Sequence, residues 1–317
     1  MRFAVAILLT ACIALAQFRA TSTLVLAPAT VVDAAGQFVD GLEAKDLVLY
    51  DNNVKQTIQV DEFVYPVSLV VAVEASPNAQ AVVEKLGGSG ILLSQLLAGN
   101  GGETAVLTFS DTVRVRQEFT TDADELEKTL RSLHTSYGNA AILDAVTESL
   151  RLLEQRRPER RRVILLIAEK RDRASKRKFD QVLREVQRHN VQIYWLTYSP
   201  SLTPLTDRPK VKDGQPVLYD SGAQNWLNII PELANQGKPA VAQELTKATG
   251  GRTVGFLKQD ALEEAIQSVG AEVHRQYMVS FQPAAGAADQ FHSIRIEVKG
   301  RPELKVRARA GYWPAGS

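Results

Sequence analysis

The stretch VSLVVAVEASPNAQ, Val67–Gln80, decides how the rest of the chain reads. Its first seven residues are apolar at both alternating positions apart from Ser68, the pattern of a strand buried on both faces. It then breaks into a carboxylate, a hydroxyl, a proline and an amide at Glu74, Ser76, Pro77 and Asn78. Strands buried on both faces belong to parallel sheets covered by helices, and the residues just past their carboxyl ends lie where open α/β folds bind ligands.

Three further runs share this texture: TAVLTFS (Thr104–Ser110), RVILLIA (Arg162–Ala168) and VQIYWLTY (Val191–Tyr198). Between them, apolar residues recur at helical spacing. Leu126, Leu130 and Leu133 fall on one helix face, Ile142, Val146, Leu150 and Leu153 on a second, and Phe179, Val182, Leu183 and Val186 on a third. Strands alternating with helices predict a mostly parallel, Rossmann-like α/β sheet over residues 65–275.

Both flanks differ. Residues 17–64 hold short β-rich runs broken at Ala35-Gly36 and Asn52-Asn53, and residues 276–317 return to alternation in YMVSF, HSIRIEVKG and LKVRARAGY. Roughly 45 residues bury too little apolar surface to stand alone. The two flanks are therefore expected to pair into one small β module.

The first residues, MRFAVAILLTACIALAQ, carry one arginine, an apolar run of about 14 residues and Ala14-Leu15-Ala16 before Gln17. The run is short of the roughly 20 residues of a spanning helix. It reads as an export signal over residues 1–16, which places the mature chain outside the cytoplasm, secreted or periplasmic. Leu9-Thr10-Ala11-Cys12 offers the alternative of a lipid anchor on Cys12, the only cysteine. The formal net charge of +1 gives no global preference for nucleic acid or an anionic membrane.

Residues 199–239 interrupt the alternation with six prolines and an Asp213-Gly214 turn. They follow VQIYWLTY and so emerge at the carboxyl edge. Tyr219 and Trp226 within them are either exposed anchors of a protein interface or the small core of the insertion itself.

The strand VSLVVAV running into EASPN, the helix start GNAAILDAV and the strand ILLIAEK together resemble a von Willebrand factor A domain. The mature chain is similar to secreted bacterial proteins that carry such a domain between β flanks, through DAAGQFVDGLEAKDLVLYDNNVKQTI, TFSDTVRVRQEFT, ATGG, RQYMVSFQP, FHSIRIEVKG and LKVRARAGYWP. The resemblance implies protein binding at the top of the sheet through a divalent cation such as Mg²⁺ or Mn²⁺. It further implies a D-x-S-x-S turn, a threonine in a later helix-start loop and an aspartate after a later strand.

This chain departs from that pattern. Glu74 and Glu169 stand at the aspartate positions, each one methylene longer, which moves the charge about 1.3 to 1.5 Å. Asn78 replaces a hydroxyl, Ala140 occupies the threonine position and has no ligand atom, and Ser76 alone matches. Near-octahedral magnesium tolerates such changes poorly. The candidate metal set is thus Glu74, Ser76, Asn78 and Glu169, in a degenerate site, with no cofactor as the simpler expectation. Lys170, Arg171 and Arg173 follow directly, so a guanidinium or ammonium beside Glu74 and Glu169 is expected to take the cation's electrostatic place. The plainer alternative is that these cations form a wet loop.

Other signals are weak. QRRPERRR (Gln155–Arg162) reads as a solvated loop at the opposite edge, not a nucleic-acid patch. His134, His189, His274 and His292 have no metal-ligand spacing, and Gly87-Gly88-Ser89-Gly90 reads as a break between helical pieces. With no nucleophile and base to name, the expected function is a non-enzymatic adhesion or interaction module binding a protein or other envelope macromolecule. The second reading is a scaffold in envelope assembly that contacts partners through the β flanks.

Overall fold

Alternating apolar residues shape the outer strands and continuous apolar runs the inner ones. The structure, a computed structural model, describes residues 24–61, 65–90, 92–93, 101–198, 241–256, 260–283 and 290–314. The export segment with Cys12, and the insertion with Tyr219, Trp226 and the Asp213-Gly214 turn, lie outside the described residues.

The amino-terminal flank supplies β1 (Val25–Val32), β2 (Leu47–Asp51), β3 (Val54–Lys55) and β4 (Ile58–Asp61). The α/β unit supplies β5 (Val67–Glu74), β6 (Glu103–Phe109), β7 (Val113–Thr120), β8 (Arg161–Ala168), β9 (Val191–Thr197) and β10 (Thr253–Gly255). The carboxyl flank adds β11 (Tyr277–Phe281), β12 (His292–Val298), β13 (Lys305–Arg307) and β14 (Gly311–Tyr312).

The central sheet has the order β10-β9-β8-β5-β6-β7 and is parallel except for the antiparallel edge strand β7. Every residue of β5, β6 and β9 is buried. Leu69, Val71 and Val73 face one core with Leu126 and Leu130 of the helix Ala123–Arg131 and Ile266 of the helix Asp260–His274. Val70 and Ala72 face the other with Ile142, Val146 and Leu150 of the helix Ile142–Glu154 and Val182 of the helix Phe179–Arg188. Opposite parities of one strand thus fill two cores, as its continuous apolarity requires.

The flanks interleave. One sheet runs β13-β1-β11-β4 and the other β14-β12-β2-β3, so each holds strands from both ends of the chain. Ala27, Ala29 and Val31 of one sheet pack on Leu47, Leu49, Ile294 and Ile296 of the other. Neither flank can assemble this sandwich by itself, which meets the expectation of a joint β module.

A polar cluster joins the sandwich to the α/β unit. Glu272 is 2% exposed and accepts hydrogen bonds from Tyr194 Oη at 2.9 Å and Arg252 Nε at 2.6 Å. Thr30 of β1 and Arg307 of β13 also donate to it. Burial by itself would raise this carboxyl, but Arg307 and Arg252 outweigh it and hold Glu272 below the usual carboxylate range.

The basic run forms the expected loop but draws some of its arginines inward. Arg156 and Arg160 clamp Glu103 at 2.6 and 3.0 Å, and Arg161 is buried, donating to the Val273 carbonyl at 2.7 Å and to Gln192. These side chains bridge neighbouring strands at the amino edge, while Arg157, Pro158 and Glu159 between them are exposed in the loop expected there. The carboxyl flank differs likewise: LKVRARAGY is two short strands, and Arg309 between them is buried against the Gln187 carbonyl and Asn190.

Candidate functional site

Four loops meet at the carboxyl edge of the central sheet. β5 ends in Glu74, which is fully buried because β6 and β8 flank it on both sides. Pro77 then opens a short 3-10 turn, Pro77–Ala79, with Ser76 in extended conformation before it. The turn is pinned by the Ala75 amide on the Phe109 carbonyl at 2.7 Å, and Ser136 donates its amide to the Ala75 carbonyl, also at 2.7 Å. The Ala141 amide reaches Ser110 O at 2.8 Å, and the Arg173 amide reaches Ala140 O at 2.9 Å. The loops after β5, β6 and β8 are thereby tied to the loop preceding the helix Ile142–Glu154.

Glu74 accepts from Ser76 Oγ at 2.5 Å through one oxygen and from the Glu169 amide at 2.8 Å through the other. Burial pushes its carboxyl above the usual range, against the opposing pull of those two donors, with the neighbouring Glu169 charge adding to the rise. Tyr198, directly after β9, is buried beside it. Desolvation and the Glu74 charge drive its phenol well above the ordinary range, yet its hydroxyl has no hydrogen bond of good geometry.

Glu169, 4% exposed, receives Arg173 Nε at 2.8 Å and Nη2 at 3.3 Å on its two oxygens. Of the three cations singled out in the sequence, Arg173 is thus the one brought onto a candidate carboxylate, Glu169. Lys170 and Arg171 are exposed. Asn78 is exposed as well, and Ala140 is buried in the apolar core against Ile142.

These positions do not fit an octahedral divalent ion. Ser76 directs its proton into Glu74, both Glu74 oxygens already accept donors, Ala140 offers no ligand, and a guanidinium covers Glu169 on both oxygens. A forked cation matched to a carboxylate is the arrangement for which arginine, not magnesium, is suited.

Sequence reasoning missed how the helix Ile142–Glu154 is capped. Its N-cap, Ala141, has no capping side chain. Asp172 instead accepts from the Ile142 amide at 2.8 Å, and Ser175 Oγ from the Leu143 and Asp144 amides at 2.9 and 3.2 Å. Asp144 reciprocates, accepting the Lys176 and Arg177 amides at 3.1 and 2.9 Å. The absence of Ser, Thr, Asp or Asn at positions 140 and 141 was the available sign that the cap comes from elsewhere in the chain.

Residues 78–171 match the family of von Willebrand factor type A domains. The central α/β unit has the fold of a von Willebrand factor A domain. The matched span includes Ala140 and Glu169 and begins at Asn78, so Glu74 and Ser76 precede it. No curated protein matches the sequence significantly.

Solved structures with a similar fold include an aerotolerance-related membrane protein from Bacteroides fragilis, at 17% identity and a TM-score of 0.42 over 65% of this chain and 98% of that one. BatB from Bacteroides thetaiotaomicron aligns at 16% identity and 0.42, over 65% and 99%. A von Willebrand factor type A protein from Catenulispora acidiphila aligns at 9% identity and 0.49, over 95% and 76%. The likeness concerns fold alone. Among the described residues, no helix is long and apolar enough to cross a membrane.

Proposed function

We propose that the protein is an exported, non-enzymatic interaction module that engages a protein partner through the carboxyl edge of its von Willebrand factor A domain, without a divalent ion. The observation that carries this reading is the Arg173–Glu169 fork, with the Glu169 amide donating to the buried Glu74. The positive charge of Arg173 on one of the carboxylates that the resemblance assigns to a metal supports loops that hold their shape without an ion. The four loops converge on this edge and leave Tyr137, 94% exposed, standing above it.

A photo-crosslinking residue placed at Tyr137, and separately at Val54 on the β module, tests the reading in the native host, with and without EDTA. Val54 lies on β3 and is 63% exposed. Crosslinks from position 137 that persist in EDTA are expected. Crosslinks from position 54 alone would establish instead the scaffold role, with contacts made by the β flanks.

A further inference from the structure

Resting on the proposed function, we infer that the partner presents an acidic segment, rich in Asp or Glu, to the loop Lys170–Lys178 and the adjoining Tyr137.

Lys170, Arg171, Lys176, Arg177 and Lys178 are all exposed. Lys170, Arg171, Lys176 and Lys178 have no ion-pair partner among the described residues, and Arg177 has only Glu185 at 3.8 Å. Six cations within nine residues, five of them besides the Glu169-paired Arg173, repel one another, so a loop that merely needed solubility would gain by interspersing carboxylates. Two carboxylates that contact the loop are turned toward its backbone, Asp172 capping the helix Ile142–Glu154 and Asp144 holding the Lys176 and Arg177 amides, while Asp180 beyond the loop is exposed. Glu169 is covered by Arg173.

The loop is also held in place before any partner arrives. Its backbone is fastened by the Arg173 and Ala174 amides on Ala140 O at 2.9 and 3.2 Å, and by Ser175 Oγ on Asp172 at 2.6 Å. Binding to a preorganised loop avoids much of the ordering cost of association.

Tyr137 sits three residues before Ala140, the residue to which the basic loop is fastened. Its neighbour Gly138 has φ +116°, and a Cβ there would come within 2.7 Å of Asp111 Cγ, so only glycine allows this turn to project Tyr137 outward. An exposed tyrosine beside arginines and lysines is the composition of an interface anchor.

A phosphate polymer fits less well. Its recognition calls for a basic stripe that tracks a backbone, whereas these cations are confined to one loop on a chain of net charge +1. An anionic bilayer would be met by apolar side chains beside the cations, and among the described residues the large hydrophobic exposed next to the loop is the hydroxyl-bearing Tyr137.

The test is fluorescence anisotropy of a labelled oligoglutamate peptide against the purified mature protein, at about 50 mM and about 300 mM salt. Binding at low salt is expected to weaken at least about tenfold in Lys170→Glu/Arg171→Glu/Lys176→Glu and severalfold in Tyr137→Ala. It should be unchanged in Lys55→Glu/Lys299→Glu/Arg301→Glu, which makes the same net charge change on the β module. Circular dichroism and the thermal midpoint check that each variant is folded. The inference is overturned if oligoglutamate does not bind, if both triple variants lose binding equally, or if heparin or anionic vesicles bind more tightly at the same salt. Crosslinks from Tyr137 that oligoglutamate does not displace would remove the acidic partner and leave the proposed function standing. Loss of those crosslinks altogether would remove both.

Discussion

Arg173 grips Glu169 at two points, Nε at 2.8 Å and Nη2 at 3.3 Å, four residues apart on a loop that would otherwise present a bare buried carboxylate. Arg173→Ala leaves Glu169 buried without its countercharge and is expected to lower the thermal midpoint. Arg173→Lys, which keeps the charge and loses the fork, should recover part of the loss. Differential scanning calorimetry of the two variants checks the order. Equal midpoints for Arg173→Ala and the parent would show that the pair contributes nothing measurable.

Glu74 supplies a pH signature. A carboxyl raised by burial binds its proton more tightly in the folded than in the unfolded state, so its contribution is favourable at low pH and is lost as pH rises through the folded value. Glu74→Gln keeps an acceptor for the Glu169 amide and removes that loss. Chemical denaturation at pH 8 should find the variant as stable as the parent or more so, with the advantage shrinking toward the ordinary carboxylate range. A loss above about 1 kcal/mol at pH 8 would mean the ionised carboxylate is needed for its hydrogen bonds.

Glu272 behaves oppositely. Its carboxyl is depressed, so the stability it confers is present above the unfolded value and disappears as pH falls through the lower folded value. Glu272→Ala removes the buried carboxylate that pairs Arg252 and Arg307 and accepts from Tyr194, at an expected cost of about 3 to 5 kcal/mol at neutral pH. Because the cluster ties β1 and β13 to the α/β unit, the loss should be accompanied by easier proteolysis between the two. Urea unfolding followed by tryptophan fluorescence and by limited proteolysis measures both effects.

Asp172 and Ser175 cap a helix to which they do not belong. Asp172→Ala or Ser175→Ala is expected to cost about 1 kcal/mol, the usual worth of an N-cap. Ser175 Oγ also donates to Asp172 at 2.6 Å, so the double variant should lose less than the two losses added together. Strict additivity in urea unfolding would separate the two caps.

Much of this architecture was legible because burial leaves a periodic trace. Val67–Val73 reads as buried on both faces and is, and Leu126, Leu130, Ile142, Val146 and Leu150 occupy the helix faces that their spacing assigns. The interleaving of the flanks followed from a size argument. Charge was far less legible. In QRRPERRR and LKVRARAGY, Arg161 and Arg309 are buried and Arg156 is half-buried where a carboxylate or backbone carbonyl from a distant segment receives them, and no local pattern encodes that partner. Half-buried His292, which showed no metal-ligand spacing, bonds Asp51 at 2.9 Å beside Tyr312, a pairing across 241 positions. At the candidate site, the sequence located the edge and the carboxylates. It did not single out Arg173 from its neighbours, because the choice depends on how Ala140 fastens the loop.

The account rests on Arg173 serving in place of a metal. Calorimetric titration of the mature protein with Mg²⁺, Mn²⁺ and Ca²⁺, beside Ser76→Ala and Glu169→Ala, tests this most directly. No saturable heat at millimolar metal is expected for the parent or either variant. Saturable binding by the parent that both substitutions abolish would show that Glu74, Ser76 and Glu169 release their present partners to hold a cation, and would contradict the account.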